Sequence, residues 1–287
     1  MISLDLLISA IISGILVGGL YTLLAMGTNL IVGIMRIINL AQGGFAMLGM
    51  FATYWLLKLY NVPPLASLPI AFIALFVVGV LISKFLFSRV IGIPAEYTIL
   101  LTFGLQAIIL NAAQIVWTGD FRNLGVSYGS FVYGPVSVSG EYLLAFITAT
   151  VIAWTMFIFL GKTKMGKAIR AVSQDPEAAA SLGINVEKIR MITAGLAIGL
   201  AGFAGVIFSI VYYIYPYIGG MFSITAIIIC VFGGLGDYRG AYFGALIIGL
   251  AQSLSALFIP YGLKDAVGFA VFILVLLFRP QGIFTRR

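Results

Sequence analysis

Apolar runs long enough to cross a bilayer follow one another from residue 6 to residue 279, and nearly every charged side chain falls between them. In lipid the backbone polar groups must be satisfied within the protein, so runs of this kind fold as helices packed side by side. Composition agrees: 9% of the 287 residues are charged and 62% hydrophobic, with mean hydropathy +1.16. A soluble domain carries about 25% charged residues to cover its surface. The single Cys230 and the lack of His exclude, or nearly so, disulfide frameworks, zinc sites and His-based catalysis. Cys230 sits in the run IIICVF and reads as a small buried hydrophobe.

A span needs about 20 apolar residues. Breaking the chain at charges, Pro and Gly-polar clusters gives candidates near 6–32, 37–57, 65–84, 97–117, 141–160, 189–213, 217–233, 240–259 and 262–279. The expectation is an all-α polytopic membrane protein of about 8–9 transmembrane helices, forming a single transmembrane domain over residues 1–287. Asp5 stands where a signal peptide would be basic, so 6–32 reads as a retained span. The 217–233 segment is shortest and ends at Gly233, Gly234 and Gly236, which marks it as a candidate broken or re-entrant helix. When loops are alternated between the two sides, Arg36, Lys84, Arg89, Lys162, Lys164, Lys167, Arg170, Lys188, Arg190, Arg239, Arg279, Arg286 and Arg287 fall on one side. Only Lys58, Arg122 and Lys264 fall on the other. The positive-inside rule then puts the N-terminus outside and the C-terminus in the cytoplasm. It also explains the net charge of +7 without nucleic acid.

Polar residues within spans are the candidates for a pathway, because each must find a partner away from lipid. Asn39 and Gln42, three apart and hence on one helical face, precede Gly43 and Gly44. Gln106, Asn111 and Gln114 mark the fourth span, and Gln252, Ser253 and Ser255 the eighth. They read either as interhelical hydrogen bonds for assembly or as the lining of a weakly polar route for a neutral or zwitterionic solute. The pairs Gly14/Gly18, Gly195/Gly199 and Gly240/Gly244 read chiefly as close helix packing. Tyr and Trp at the outer span ends read as interface anchors. All nine acids lie at span ends or in loops, which disfavours a carrier driven by its own proton or sodium relay. No nucleophile–base pair or metal set is present, so neither an enzyme nor a cofactor is expected. Gly161-Lys162-Thr163 resembles the tail of a phosphate loop, but Met156 stands where that motif needs Gly.

Residues 161–190 form a charged island, GKTKMGKAIRAVSQDPEAAASLGINVEKIR, between two apolar stretches. Asp175 is a preferred N-cap, Pro176 suits the first helical position, and Glu177 suits the positive end of the helix dipole. Gly183 then closes the helix, and Met165–Val172 forms a second short basic helix before it. A helix this short is unstable alone in water and must pack on something. From the residues alone the island is either an ordinary structured loop or a docking element, with Ala178, Ala179 and Ala180 offering a low surface to a partner's groove.

Glu177-Ala178-Ala179 with Gly183 four residues on resembles the EAA-x3-G signature of ABC importer permeases, the loop that docks into the ATPase subunit. The strings AIRAVSQDPEAAASLGIN, INLAQGG, VFGGLGDYRGAYFGALIIGL and FRPQGIF together resemble the permeases of branched-chain amino acid importers over most of the chain. Two departures are Gln42, where the family often has His, and the lack of a Leu-Pro pair after Gly183. The resemblance implies a multi-pass permease subunit in the cell (inner) membrane, carrying branched-chain (hydrophobic) amino acids. Its implied partners are ABC ATPase subunits that hydrolyse the ATP, a second homologous permease subunit, an extracytoplasmic solute-binding protein and membrane lipid, with no nucleic acid. It implies that Lys167, Arg170, Asp175, Pro176, Glu177, Ala178, Ala179 and Gly183 couple to the ATPase. Asn39, Gln42, Gly43, Gln106 and Asn111 are the expected translocation-pathway residues. A related permease for urea, short amides or a sugar would share these features, and a passive channel would explain the weakly polar spans alone.

Overall fold

The computed structural model describes residues 4–133, 136–260, 263–279 and 282–284. Its helices are α1 (Leu4–Met35), α2 (Gln42–Tyr60), α3 (Leu68–Phe85), α4 (Ala95–Trp117), α5 (Gly140–Lys162) and α6 (Lys164–Gln174). They continue with α7 (Pro176–Ser181), α8 (Val186–Val211), α9 (Ile218–Gly233), α10 (Tyr238–Ser255) and α11 (Lys264–Phe278). A helix covers each apolar segment expected from the sequence. Among the described residues, five helical stretches can cross a membrane by length and composition: α1, α3 with its flanking turns, α4, α5 and α8. The number rises to six if α9 and α10, which meet at 115°, count as one bent span. The chain is a polytopic membrane protein. One departure from an all-α fold is an antiparallel hairpin, β1 (Ser130–Tyr133) with β2 (Val136–Ser139), in the segment between α4 and α5. Its SFVY and VSVS strands are rich in the β-branched and aromatic types that pleated backbone favours.

Large apolar side chains stand outside as well as in the core, and α5 turns its small residues inward. Along α5, Ile147, Val151, Trp154 and Ile158 form one exposed stripe, while Ala145, Ala149 and Ala153 are fully buried on the opposite face. The central helix is α8, whose apolar window is 78% buried. Its run AGLAIGLAGFAG lets α1, α2, α3 and α5 all approach its backbone. A Cβ on Gly195 would lie 2.9 Å from the Phe76 ring, and one on Gly199 2.7 Å from that of Phe72. On α1, a Cβ at Gly14 would lie 2.8 Å from Leu250 Cα, and one at Gly18 2.7 Å from Leu246 Cα. These pairs hold helices together, and Gly14 and Gly18 set α10 antiparallel along α1.

That antiparallel pairing sorts the basic loops into two groups in space. The end of α1 at Arg36, the passage after Arg89, the 161–190 island and the turn before Arg239 share one end of the bundle, around two adjoining cavities. At the opposite end Arg122 and Ile214 exchange backbone hydrogen bonds of 2.9 and 2.8 Å. There the Arg122 guanidinium and the Lys58 ammonium both lie over the Tyr54 ring.

The structure corrects the start of the second span. Arg36 takes a left-handed φ of 55°, residues 36–41 leave the helix, and α2 begins only at Gln42. Asn39 is therefore not on a helical face with Gln42: it belongs to a non-helical passage, where its Oδ1 accepts from Ala41 N at 3.0 Å. The ending FRPQGIF is described only in part, since Pro280 and Gln281, like Arg286 and Arg287, lie outside the described residues. Beyond them Ile283 N donates to Phe232 O at 3.0 Å, bringing the tail back to α9.

Candidate functional site: the charged island and the polar knots beside it

The island begins where Thr163 ends α5 and caps α6, its Oγ1 accepting from Gly166 N at 3.0 Å. Within α6, Ile169 and Val172 turn inward, and Lys167 and Arg170 turn outward. Arg170 donates to Gly161 O at 3.2 Å. The helix packs on α1, α5 and α8, and Ser173 Oγ donates to Gly33 O at 2.7 Å, fixing it to the last turn of α1. Asp175 caps α7 as expected, its Oδ1 accepting from Glu177 N and Ala178 N, both at 2.9 Å. Gly183, at φ 80°, ends the helix and donates to Ala180 O at 2.9 Å, while Ile184 N reaches back to Ala179 O at 3.1 Å. Six residues cannot hold a helix without such caps and a buried anchor. The anchor is Ala179, 2% exposed, so the three alanines do not share one surface: Ala178 and Ala180 face out with Glu177. Beside them Leu182 is 81% exposed, a large apolar side chain offered at the end of a polar segment.

Four of the five expected pathway residues come together around the passage between α1 and α2. Asn39 Nδ2 donates to Gln42 Oε1 at 3.0 Å, and Gln42 Nε2 donates to Ala197 O of α8 at 2.8 Å. Gly43 N donates to Ser223 Oγ of α9 at 2.8 Å, and Gly44 N to Gln106 Oε1 of α4 at 3.2 Å. A Cβ on Gly43 would run into the backbone of Gly219 and Ser223. Asn39 and Gln42 are fully buried. The Gln106 Nε2 is buried with no partner among the described residues. Asn111 stands apart, exposed on α4 and donating to Ala107 O of its own helix at 2.7 Å. The knot ties α2 to α4, α8 and α9.

A second knot pins the bend between α9 and α10. Asn29 Oδ1 accepts from Cys230 Sγ and from Gly236 N, both at 2.8 Å, and its Nδ2 donates to Asp237 O at 3.2 Å. Asp237 in turn caps α10 through Arg239 N at 2.8 Å and Gly240 N at 3.3 Å. Cys230 is thus buried, as its apolar run indicates, and also serves as a hydrogen-bond donor.

Residues 10–276 match the model of a family described as branched-chain amino acid transport system / permease component. The chain belongs to that permease family. It is 29% identical over 291 residues to the high-affinity branched-chain amino acid transport system permease protein BraD of Pseudomonas aeruginosa, covering 96% of this chain and 95% of the relative. To the LivH permease protein of Escherichia coli K12, of the same description, it is 28% identical over 289 residues, covering 96% and 94%. A probable branched-chain amino acid transport permease, LivH of Methanocaldococcus jannaschii, is 31% identical over 261 residues, covering 88% and 81%. No solved structure matches the chain.

In this permease several connecting side chains go beyond those picked out from the sequence. Ser173 and Ser223 look like ordinary small polar residues, and Asn29 is a lone amide in an apolar helix. Nothing local reveals that they join α6 to α1, α2 to α9, and α1 to the α9–α10 bend. Leu182 alone carries a local signal, as the one large apolar residue closing a run of small and polar ones.

Proposed function

We propose that this permease is the membrane subunit of an ATP-driven importer of branched-chain, hydrophobic amino acids, docked to a separate cytosolic ATPase through residues 161–190. On this reading it lies in the cell's inner membrane with about 8–9 crossings, its N-terminus outside and its C-terminus and island in the cytoplasm. It works beside a second homologous permease and receives solute from an extracytoplasmic binding protein. The observation that carries the reading is the build of α7: capped at Asp175 and Gly183, anchored by Ala179, and presenting Glu177, Ala178, Ala180 and Leu182 outward. Such an element transmits a push without deforming, because α6 behind it is fixed to α1, α5 and α8. Lys167 and Arg170 flank the docking face.

The translocation pathway assigned to Asn39, Gln42, Gly43, Gln106 and Asn111 divides into two roles. The first four brace the passage at which α2 turns, and Asn111 offers an exposed amide on α4. Uptake of radiolabelled leucine, and co-purification of the ATPase in mild detergent, test the proposal together. Glu177→Lys, Leu182→Asp and Gly183→Asp are expected to reduce both by about tenfold or more, with the variant chain still present in the membrane. Normal uptake by all three variants would remove the coupling role from α7. Loss of uptake with the ATPase still bound would move the defect to a step after docking. Uptake of urea or a sugar in place of leucine would reassign the substrate and keep the coupling.

A further inference from the structure

Beside the coupling segment, the end of α1, the passage 90–94, the first turn of α4 and the start of α8 enclose a cavity of about 470 Å³, within the size range of small-molecule sites. Arg36 and Arg190 line it, and among the described residues no acidic side chain does. The Nε of Arg190 is buried with no hydrogen-bond partner among the described residues. An unpaired buried donor costs about 1–3 kcal/mol, and a guanidinium is matched best by the paired oxygens of a phosphate. Pro176 brings the first residue of α7 to the wall.

Val90 is shared with a second cavity of different character. This one is an apolar groove of about 400 Å³ that climbs α4 over Tyr97, Leu100, Gly104 and Ile108 toward the middle of the span. At 1.5 Å per residue, Tyr97 to Ile108 covers about 16 Å, close to half of a bilayer's hydrocarbon thickness. Gly104 leaves the groove open, since a Cβ there would meet nothing within 4 Å.

We infer that the basic cavity and the apolar groove together form one binding site for an anionic glycerophospholipid. Its phosphate lies between Arg36 and Arg190 and one acyl chain lies along α4. A lone phosphate ion would use the cavity and leave the groove unexplained. An apolar helix of a companion protein would use the groove and leave the two arginines unpaired. The site goes beyond the coupling reading and does not rest on it, because its readout is lipid retention and not uptake.

The purified full-length chain, in mixed micelles of phosphatidylglycerol and phosphatidylcholine, is to be examined by native mass spectrometry. Expected is about one retained phosphatidylglycerol per chain, with phosphatidylcholine not retained. The pair Arg36→Gln with Arg190→Gln, and separately Gly104→Phe, are each expected to lower retention by about tenfold. Lys58→Gln, at the far end of the bundle, is expected to leave it unchanged. Should the double variant fail to fold, Arg36→Gln alone, at an exposed side chain, and Gly104→Phe carry the test. Equal retention in all variants, or equal retention of the two lipids, overturns the site. Displacement by millimolar inorganic phosphate together with an inert Gly104→Phe would also overturn it, by assigning the arginines to the free ion. A photocrosslinker at Ile108 that captures a companion permease in native membranes, and no lipid, would do the same by giving the groove to a protein.

Discussion

Gln42 ties the passage to the core of the bundle, because both ends of its buried carboxamide are committed. Its oxygen accepts from Asn39 in the passage, and its nitrogen donates across to α8 at Ala197. Gln42→Leu keeps the volume and strands two buried polar groups, each at a cost of about 1–3 kcal/mol. A melting temperature in detergent several degrees lower is therefore expected, by about 4 °C or more; an unchanged melt would show that the passage is held elsewhere. Asp175→Ala is the milder change at the opposite extreme of exposure. It removes the acceptor for two amides at the start of α7 and costs about 1 kcal/mol. Its expected signature is local: faster hydrogen exchange over 176–182 with no change in the rest of the protein.

At the scale of elements, what was legible in the sequence follows from how far the deciding interaction lies along the chain. Apolar length places every long helix, and α7 is readable end to end, because Asp175, Pro176 and Gly183 act on their own neighbours. The passage at 36–41 is not readable, because IMRIINLAQ is apolar enough to continue a helix. What breaks it is the left-handed turn at Arg36 and the capture of Gln42 and Gly43 by α8 and α9. The spacing of Asn39 and Gln42 correctly marks them as partners and misplaces the first of them on a helix. The α1–α10 pairing is foreshadowed by Gly14 and Gly18, although the identity of the facing helix is not. Gly18→Val would force the two backbones apart where a Cβ already meets Leu246 Cα at 2.7 Å. Overpacking of this kind costs about 1–3 kcal/mol, and it is expected to lower the yield of folded protein in detergent. A normal yield would mean that α10 can shift without loss.

For the whole molecule, the disposition of the basic loops makes topology the deciding measurement. Cys230 is 1% exposed and forms a silent background for thiol labelling. Ser127→Cys, at the hairpin end, is expected to react in intact cells with a membrane-impermeant maleimide. Ser181→Cys, at the end of α7, is expected to react only after permeabilisation; the reverse pattern would invert the molecule in the membrane. The arrangement of α1 has a mechanical consequence within this frame. Ser173 grips it at Gly33, and Asn29, one turn away and about 6 Å along the axis, grips the α9–α10 bend. Force delivered to the island therefore has a load path a single turn long before it reaches the elbow of the bundle. Under the proposed coupling, the Gly33 end of α1 would work as a crank pin, and the stroke would have no need to travel across the bilayer to begin.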